Sequence, residues 1–191
     1  MNEKNLYIIA GCNGAGKTTA SFTILPEILD CKEFVNADEI AKGLSPFQPE
    51  KAAFESGRIM LNRIDELFQN QENFAFETTL AGKNYLKLIQ QLKTAGWRIE
   101  LIYLALPNVE MSKLRVAERV AHGGHNIPMK DIERRFQRSL KHLLVDFSPI
   151  VDCAYCFMNS NNVPELIFEQ SLSIRNIINT ELYQLLLQEA N

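Results

Sequence analysis

Residues 11–18 read Gly11-Cys12-Asn13-Gly14-Ala15-Gly16-Lys17-Thr18, a match to G-x-x-x-x-G-K-[ST]. The match stands directly behind the apolar run Leu6 to Ala10 and ahead of a helical pattern from Lys17 to Leu29. That strand–loop–helix setting is what separates a phosphate-binding loop from a glycine-rich turn with an incidental lysine. Glycines let the backbone turn so that several N–H groups point inward at phosphate oxygens, and the helix that follows adds its positive end. The motif therefore assigns Gly11, Asn13, Gly14, Ala15, Gly16, Lys17 and Thr18 to a nucleotide's phosphates, with Thr19 a further candidate one residue on. Within it, Lys17 reaches the β- and γ-phosphates and the Thr18 hydroxyl ligates Mg²⁺.

A loop of this kind belongs to an α/β architecture, and the remaining sequence agrees. Short apolar runs at Leu6 to Ala10, Phe34 to Ala37, Phe74 to Phe76, Ile99 to Leu106 and Ala154 to Met158 read as buried parallel strands. Helical patterns lie between them at Lys51 to Asn70, Lys83 to Ala95, Val109 to Ala121 and Asp131 to Val145, with a last one from about Val163 to Gln188. The expectation is a P-loop NTPase-type three-layer sandwich: a mostly parallel five-stranded sheet, helices on both faces, and a helical lid at about 109–146. At 191 residues, with 46% hydrophobic and 23% charged residues, the chain suits one domain with a core of its own.

The formal net charge of −3 weighs against binding nucleic acid by bulk electrostatics. No stretch approaches the ~20 apolar residues of a membrane span, and the first residues carry no long apolar leader, so the expected location is cytoplasmic. Cys153 and Cys156 form the one C-x-x-C pair, but inside an apolar run and without a second ligand pair, which reads as buried strand residues rather than zinc ligands.

Ligands of an open α/β sheet sit beyond the carboxyl ends of its strands. Asp38 follows Phe34-Val35-Asn36-Ala37, and Glu77 follows Phe74-Ala75-Phe76 ahead of Thr78-Thr79, so both acids face the crevice that holds Lys17. An acceptor hydroxyl needs a carboxylate to orient it and take its proton, the role assigned to Asp38. Glu77 is assigned to acceptor hydroxyls or to the metal's water shell, and Thr78 and Thr79 to the acceptor. The competing reading for either acid is a helix cap or a surface charge.

Five of the nine arginines fall between Arg115 and Arg138. Arg115 and Arg119 share a helix face, as do Arg134 and Arg138, and the loop His122-Gly123-Gly124-His125 separates the two helices. Folded over a nucleotide, such a pair of helices brings guanidinium groups onto the transferring phosphoryl. Arg119 and Arg134 are the expected phosphate ligands, with Arg135 the alternate; ion pairs to Glu118, Asp131 and Glu133 are the competing use. His125 is assigned to loop or substrate contacts, and Asn159, after the last strand, to the height of an adenine.

Taken together, Gly11 to Thr18, Asn36-Ala37-Asp38-Glu39-Ile40, Gly57-Arg58, Phe76-Glu77-Thr78-Thr79-Leu80, Arg119-Val120, Gly123-Gly124-His125, Ile127-Pro128 and Arg134-Arg135-Phe136 give the chain a resemblance to the zeta toxin family of P-loop kinases over nearly its whole length. The resemblance implies a five-stranded sheet, ATP and Mg²⁺ as cosubstrates, an acidic base at Asp38 and lid arginines at Arg119 and Arg134. The best-known members phosphorylate the 3′-hydroxyl of UDP-N-acetylglucosamine and are held inactive by a small antitoxin protein. The expected function is thus transfer of the γ-phosphoryl group of ATP to a hydroxyl of a small molecule, a sugar nucleotide foremost. A nucleic-acid end-processing kinase or NTPase, and a catalytically silent nucleotide-binding module, are the alternatives.

Overall fold

Strand β1 (Asn5–Gly11) sends Leu6, Ile8 and Ala10 to one face of the sheet and Tyr7 and Ile9 to the other, all of them buried. A strand buried on both faces belongs in the middle of a parallel sheet covered on both sides. The computed structural model describes residues 4–124, 126–160, 163–172 and 174–190. After β1 come α1 (Lys17–Thr23), which runs on as a π-helical turn at Ile24–Ile28, then β2 (Phe34–Val35), α2 (Ala37–Leu44), a 3-10 turn at Pro49–Ala52 and α3 (Ala53–Gln69). They are followed by β3 (Phe74–Thr78), α4 (Leu86–Thr94), β4 (Arg98–Ala105), α5 (Val109–Ala121) and α6 (Met129–His142), the last continued by a π-helical turn at Leu143–Phe147. The chain closes with β5 (Cys153–Met158), β6 (Glu165–Ser171), β7 (Ile174–Ile177) and α7 (Thr180–Glu189).

The sheet has seven strands, not the expected five, in the order β2-β3-β1-β4-β5-β6-β7. The first five are parallel, and β6 and β7 extend the sheet antiparallel from β5. The expected helix from Val163 to Gln188 is therefore corrected to a β6–β7 pair followed by α7, with the helix confined to Thr180–Glu189. Leu166, Ile167, Phe168, Ile174 and Ile177 fit a helical spacing as well as a strand pair does. What decides is the partner: β6 pairs with β5 from Cys153↔Ser171 to Met158↔Glu165, which buries Ile167 and Phe168 and covers an otherwise open edge.

The larger core lies on the face of Leu6 and Ile8 and takes in Phe74, Phe76, Trp97, Tyr103 and Phe136; the smaller one, around Tyr7, Ile9, Ala75 and Ile102, is closed by Leu25 and Cys31. Full burial of side chains like these contributes about 1.5–3 kcal/mol apiece, which holds the sheet rigid beneath its loops. Cys153 and Cys156 are both buried in β5, and three residues apart on a strand they face opposite sides, so one metal ion cannot be shared between them. Among the described residues no helix is long and apolar enough to cross a membrane.

Helices α5 and α6 share a small core of Val116, Ile127 and Ile132. The glycines between them close α5 as a Schellman motif: Gly123, at φ +83°, donates to the Val120 carbonyl and Gly124 to the Arg119 carbonyl, each at 2.9 Å.

Candidate functional site

The end of β1 is where the backbone leaves the sheet and turns back on itself. Gly11 sits at φ +148°, and a Cβ there would lie 2.3 Å from the Leu104 carbonyl oxygen on the neighbouring β4, so the loop can start only from a glycine. Gly14 and Gly16 follow at φ +75° and +82°. The loop is also held from outside. Ser112 on α5 donates to the Asn13 carbonyl at 2.6 Å, Asn159 Nδ2 to the Ala15 carbonyl at 2.8 Å, and Arg115 to the carbonyls of Gly14 at 3.4 Å and Ser160 at 2.8 Å. Inward, Asn13 Oδ1 is buried with no hydrogen-bond partner among the described residues.

Beside this loop, three groups converge on the Glu77 carboxylate at the end of β3. Lys17, 7% exposed, donates to the Cys12 carbonyl at 3.0 Å and lies 3.6 Å from Glu77 Oε1. The Thr18 hydroxyl donates to Glu77 Oε2 at 2.7 Å, and Asn36 Nδ2 donates to the same oxygen at 2.8 Å. Parallel pairing produces this: Ile9 of β1 is level with Glu77 of β3, so the acid emerges next to the loop. Asn36 also caps α2, its Oδ1 accepting from the backbone N–H groups of Asp38 and Glu39. Burial pushes the Cys12 thiol up to about 11 despite the nearby Lys17 cation, which leaves it protonated and inert at neutral pH.

These groups open into a cleft of about 510 Å³. Lys17, Thr18, Thr19, Asp38, Glu77, Thr78 and Thr79 line it, as do Arg115, Arg119, Gly124 and Arg135; Pro49, Ala53, Met60 and Tyr85 add an apolar stretch. The turn after β3 is fixed from behind. Leu80, fully buried, takes φ +52°; its N–H donates to Thr78 Oγ1, and its carbonyl pairs with His142 Nδ1 at 2.6 Å. Ser139 donates to the Thr79 carbonyl and is bonded to the Tyr103 hydroxyl at 2.6 Å. One face of α6 thus seats the turn that carries Glu77 to Thr79.

The structure brings together most residues singled out from sequence. Arg134 is placed elsewhere: half-exposed, it donates to Asp131 at 2.7 Å, holding that carboxyl below its ordinary value, and does not line the cleft, whereas the adjacent Arg135 does. Asn159 lies behind the loop rather than in the cleft. His125 lies outside the described residues. The sequence assigns no site role to Asn36, Ser112 or Ser139. Only Asn36 carried a local signal, as an asparagine placed to cap a helix two residues before Asp38.

The AvrRxo1-ORF1:AvrRxo1-ORF2 complex with sulphate ions superimposes with a TM-score of 0.73 at 16% identity, over 95% of this chain and 63% of that one. The present chain thus spans less than two thirds of that structure's length; the same complex with ATP gives 0.71. A structure from the PezAT chromosomal toxin-antitoxin system of Streptococcus pneumoniae matches at 0.64 and 14% identity, over 99% of this chain and 86% of that one. At such identities the likeness establishes the P-loop kinase-type fold. In sequence, an uncharacterised protein of Haemophilus influenzae is 29% identical over 138 residues, 71% of this chain and 94% of that protein. The Zeta toxin family model matches residues 2–146, the stretch that holds the phosphate loop, Asp38, Glu77 and the cleft arginines, and the chain accordingly belongs to the zeta toxin family.

Proposed function

We propose that this protein is an ATP-dependent kinase that transfers the γ-phosphoryl group to a hydroxyl of a small molecule. The observation that carries the reading is the convergence of Lys17, Thr18 and Asn36 on Glu77 in one cleft with Asp38. In the reaction a bond forms between the acceptor oxygen and the γ-phosphorus, the bond from that phosphorus to the β–γ bridging oxygen breaks, ADP leaves, and the hydroxyl proton passes to Asp38. Lys17 and Arg119, with Arg135 in preference to Arg134, stabilise charge on the phosphoryl oxygens. Helices α5 and α6 serve as the lid that brings the arginines in.

A divalent ion fits this donor set as a guest of the nucleotide. Thr18 and Glu77 offer one hydroxyl and one carboxylate within hydrogen-bond distance, and no group of three His, Cys, Asp or Glu able to hold a metal occurs among the described residues. Mg²⁺ held there by Thr18 and Glu77 would supply positive charge beside the phosphates. The loop's backbone and Lys17 hold the phosphates, and Glu77 keeps the Thr18 hydroxyl aimed.

For the acceptor we propose a sugar nucleotide such as UDP-N-acetylglucosamine. Family membership supports this, and so does a cleft that joins polar Thr78 and Thr79 to the apolar Ala53, Met60 and Tyr85. A small antitoxin partner is proposed on the same footing, since the fold matches include toxin-antitoxin proteins. The proposed setting is the cytoplasm.

Incubation with labelled ATP, Mg²⁺ and a panel of sugar nucleotides, nucleosides and oligonucleotides tests the reading. Transfer to a sugar nucleotide is expected. Transfer only to oligonucleotides would make the protein an end-processing kinase, ATP hydrolysis alone a plain NTPase, and no reaction a silent nucleotide-binding module. Asp38→Asn is expected to keep ATP binding while lowering turnover at least ~10²-fold.

A further inference from the structure

We propose that Asn36 is a positioning residue that ties the Glu77 carboxylate to the first turn of the helix carrying Asp38, so that the metal side and the acceptor side of the cleft keep a set spacing. The proposal rests on the kinase reading above and adds to it a residue that acts through Glu77 and Asp38.

Asn36 is 5% exposed and spends both ends of its amide. Its oxygen accepts from the N–H groups of Asp38 at 2.8 Å and Glu39 at 3.3 Å, and its nitrogen donates to Glu77 Oε2 at 2.8 Å. The carboxylate oxygen it reaches is the one that also receives the Thr18 hydroxyl. Strand register brings the two residues level. β2 pairs with β3 at Phe34↔Ala75 and Val35↔Phe76, and the next step along both strands sets Asn36 beside Glu77.

Asn36 is the side chain that caps the start of α2. β2 is two residues long, at the edge of the sheet, and among the eight residues of α2 only Ala41 is buried. The helix packs on α3, with Ala37 and Ile40 resting on the larger core, and the N–H groups of Asp38 and Glu39 are left to the cap. Few side chains fit the position. Aspartate caps a helix as well as asparagine but has no N–H to give, and would set a second negative charge against Glu77; serine caps but is too short to reach across. A residue needed only as a cap would tolerate both, whereas a residue needed to span Glu77 and Asp38 tolerates neither. An error of about an ångström between a base and the group it serves is enough to cost turnover on the order of 10²-fold.

The test compares Asn36→Ser and Asn36→Asp with the unsubstituted protein. Both variants are expected to keep a folded, cooperatively melting chain and a KM for ATP within about twofold, while kcat falls about 10–100-fold, the usual effect of removing a group that orients a ligand from outside. The aspartate variant is expected to be the worse of the two. Unchanged kcat in both would reduce Asn36 to a cap, and so would a loss of kcat matched by loss of folded protein. A second measurement needs no catalysis. In Glu77→Ala, the Asn36 side-chain NH₂ and the Asp38 and Glu39 backbone amides are expected to shift in ¹H–¹⁵N spectra, while amides on α7 stay put. Unmoved Asp38 and Glu39 amides would overturn the proposal. A chain that transfers phosphate to nothing, yet shows these shifts, would instead sink the kinase reading and leave the link between the two residues standing.

Discussion

Thr18 Oγ1 donates a 2.7 Å hydrogen bond to Glu77 Oε2, joining the first turn of α1 to the end of β3 across 59 residues of chain. A hydroxyl that gives its proton to a carboxylate keeps its lone pairs free for a cation, so the bond aims Thr18 before a nucleotide arrives. Thr18→Val keeps the shape and removes both functions. We expect turnover to fall about 10–100-fold with a raised magnesium requirement, read by titrating Mg²⁺ at saturating ATP. An unaltered Mg²⁺ dependence would detach Thr18 from the metal.

The two adjacent arginines of α6 make separable predictions. Arg135 lines the cleft, so Arg135→Ala is expected to lower kcat about 10²–10³-fold, the scale for losing one preorganised stabiliser of transition-state charge. Arg134 is paired with Asp131 one helical turn away in an exposed, solvent-screened contact, so Arg134→Ala should change kcat less than about threefold. A larger loss from Arg134→Ala would mean that the helix rotates when ligands bind.

Glycine substitutions should split by location. In Gly11→Ala the new methyl meets the Leu104 carbonyl at 2.3 Å, and we expect a loss of about 2 kcal/mol, or roughly 4–8 °C in Tm. Gly57→Ala, in the middle of α3 with no atom within 4 Å of the added Cβ, should stabilise by about 0.5–1 kcal/mol because alanine restricts the unfolded chain. Equal effects would contradict the close approach of β1 to β4.

Alkaline pH should weaken the fold. Burial raises the Cys12 and Cys31 thiols from 9.0 to about 11, so between these values the folded chain holds protons that the unfolded chain releases. Stability is then intact below pH 9 and declines as pH climbs toward 11. The buried Cys156 thiol, the half-buried Tyr85 hydroxyl and the buried Tyr103 hydroxyl are shifted in the same direction and add to the decline. Urea midpoints at pH 8 and pH 10 measure it; replacing Cys12 and Cys31 by alanine should flatten its first part, and an unflattened curve would assign the loss to Cys156 and the tyrosines.

What the sequence determined by itself was local in the chain. The phosphate loop needs a strand followed, within eight positions, by three glycines, a lysine and a threonine, so its place was legible before any fold. So were the five parallel strands as apolar runs and α5 at its observed bounds, Val109–Ala121. Tertiary structure decided whatever depended on a distant partner. The run after Val163 became β6 and β7 because β5 offered an edge to pair with, and apolar spacing alone did not separate that outcome from a helix. Asn36 meets Glu77 41 residues on, Ser112 holds Asn13 from 99 residues away and Asn159 holds Ala15 from 144, which are contacts no window of sequence contains. The choice between Arg134 and Arg135 has the same origin. Neighbouring residues on a helix point about 100° apart. The burial of Phe136 and Leu140 in the larger core, of Ser139 against Thr79 and Tyr103, and of Ile132 against α5 turns Arg135, one turn before Ser139, into the cleft, and leaves Arg134 to its neighbour Asp131.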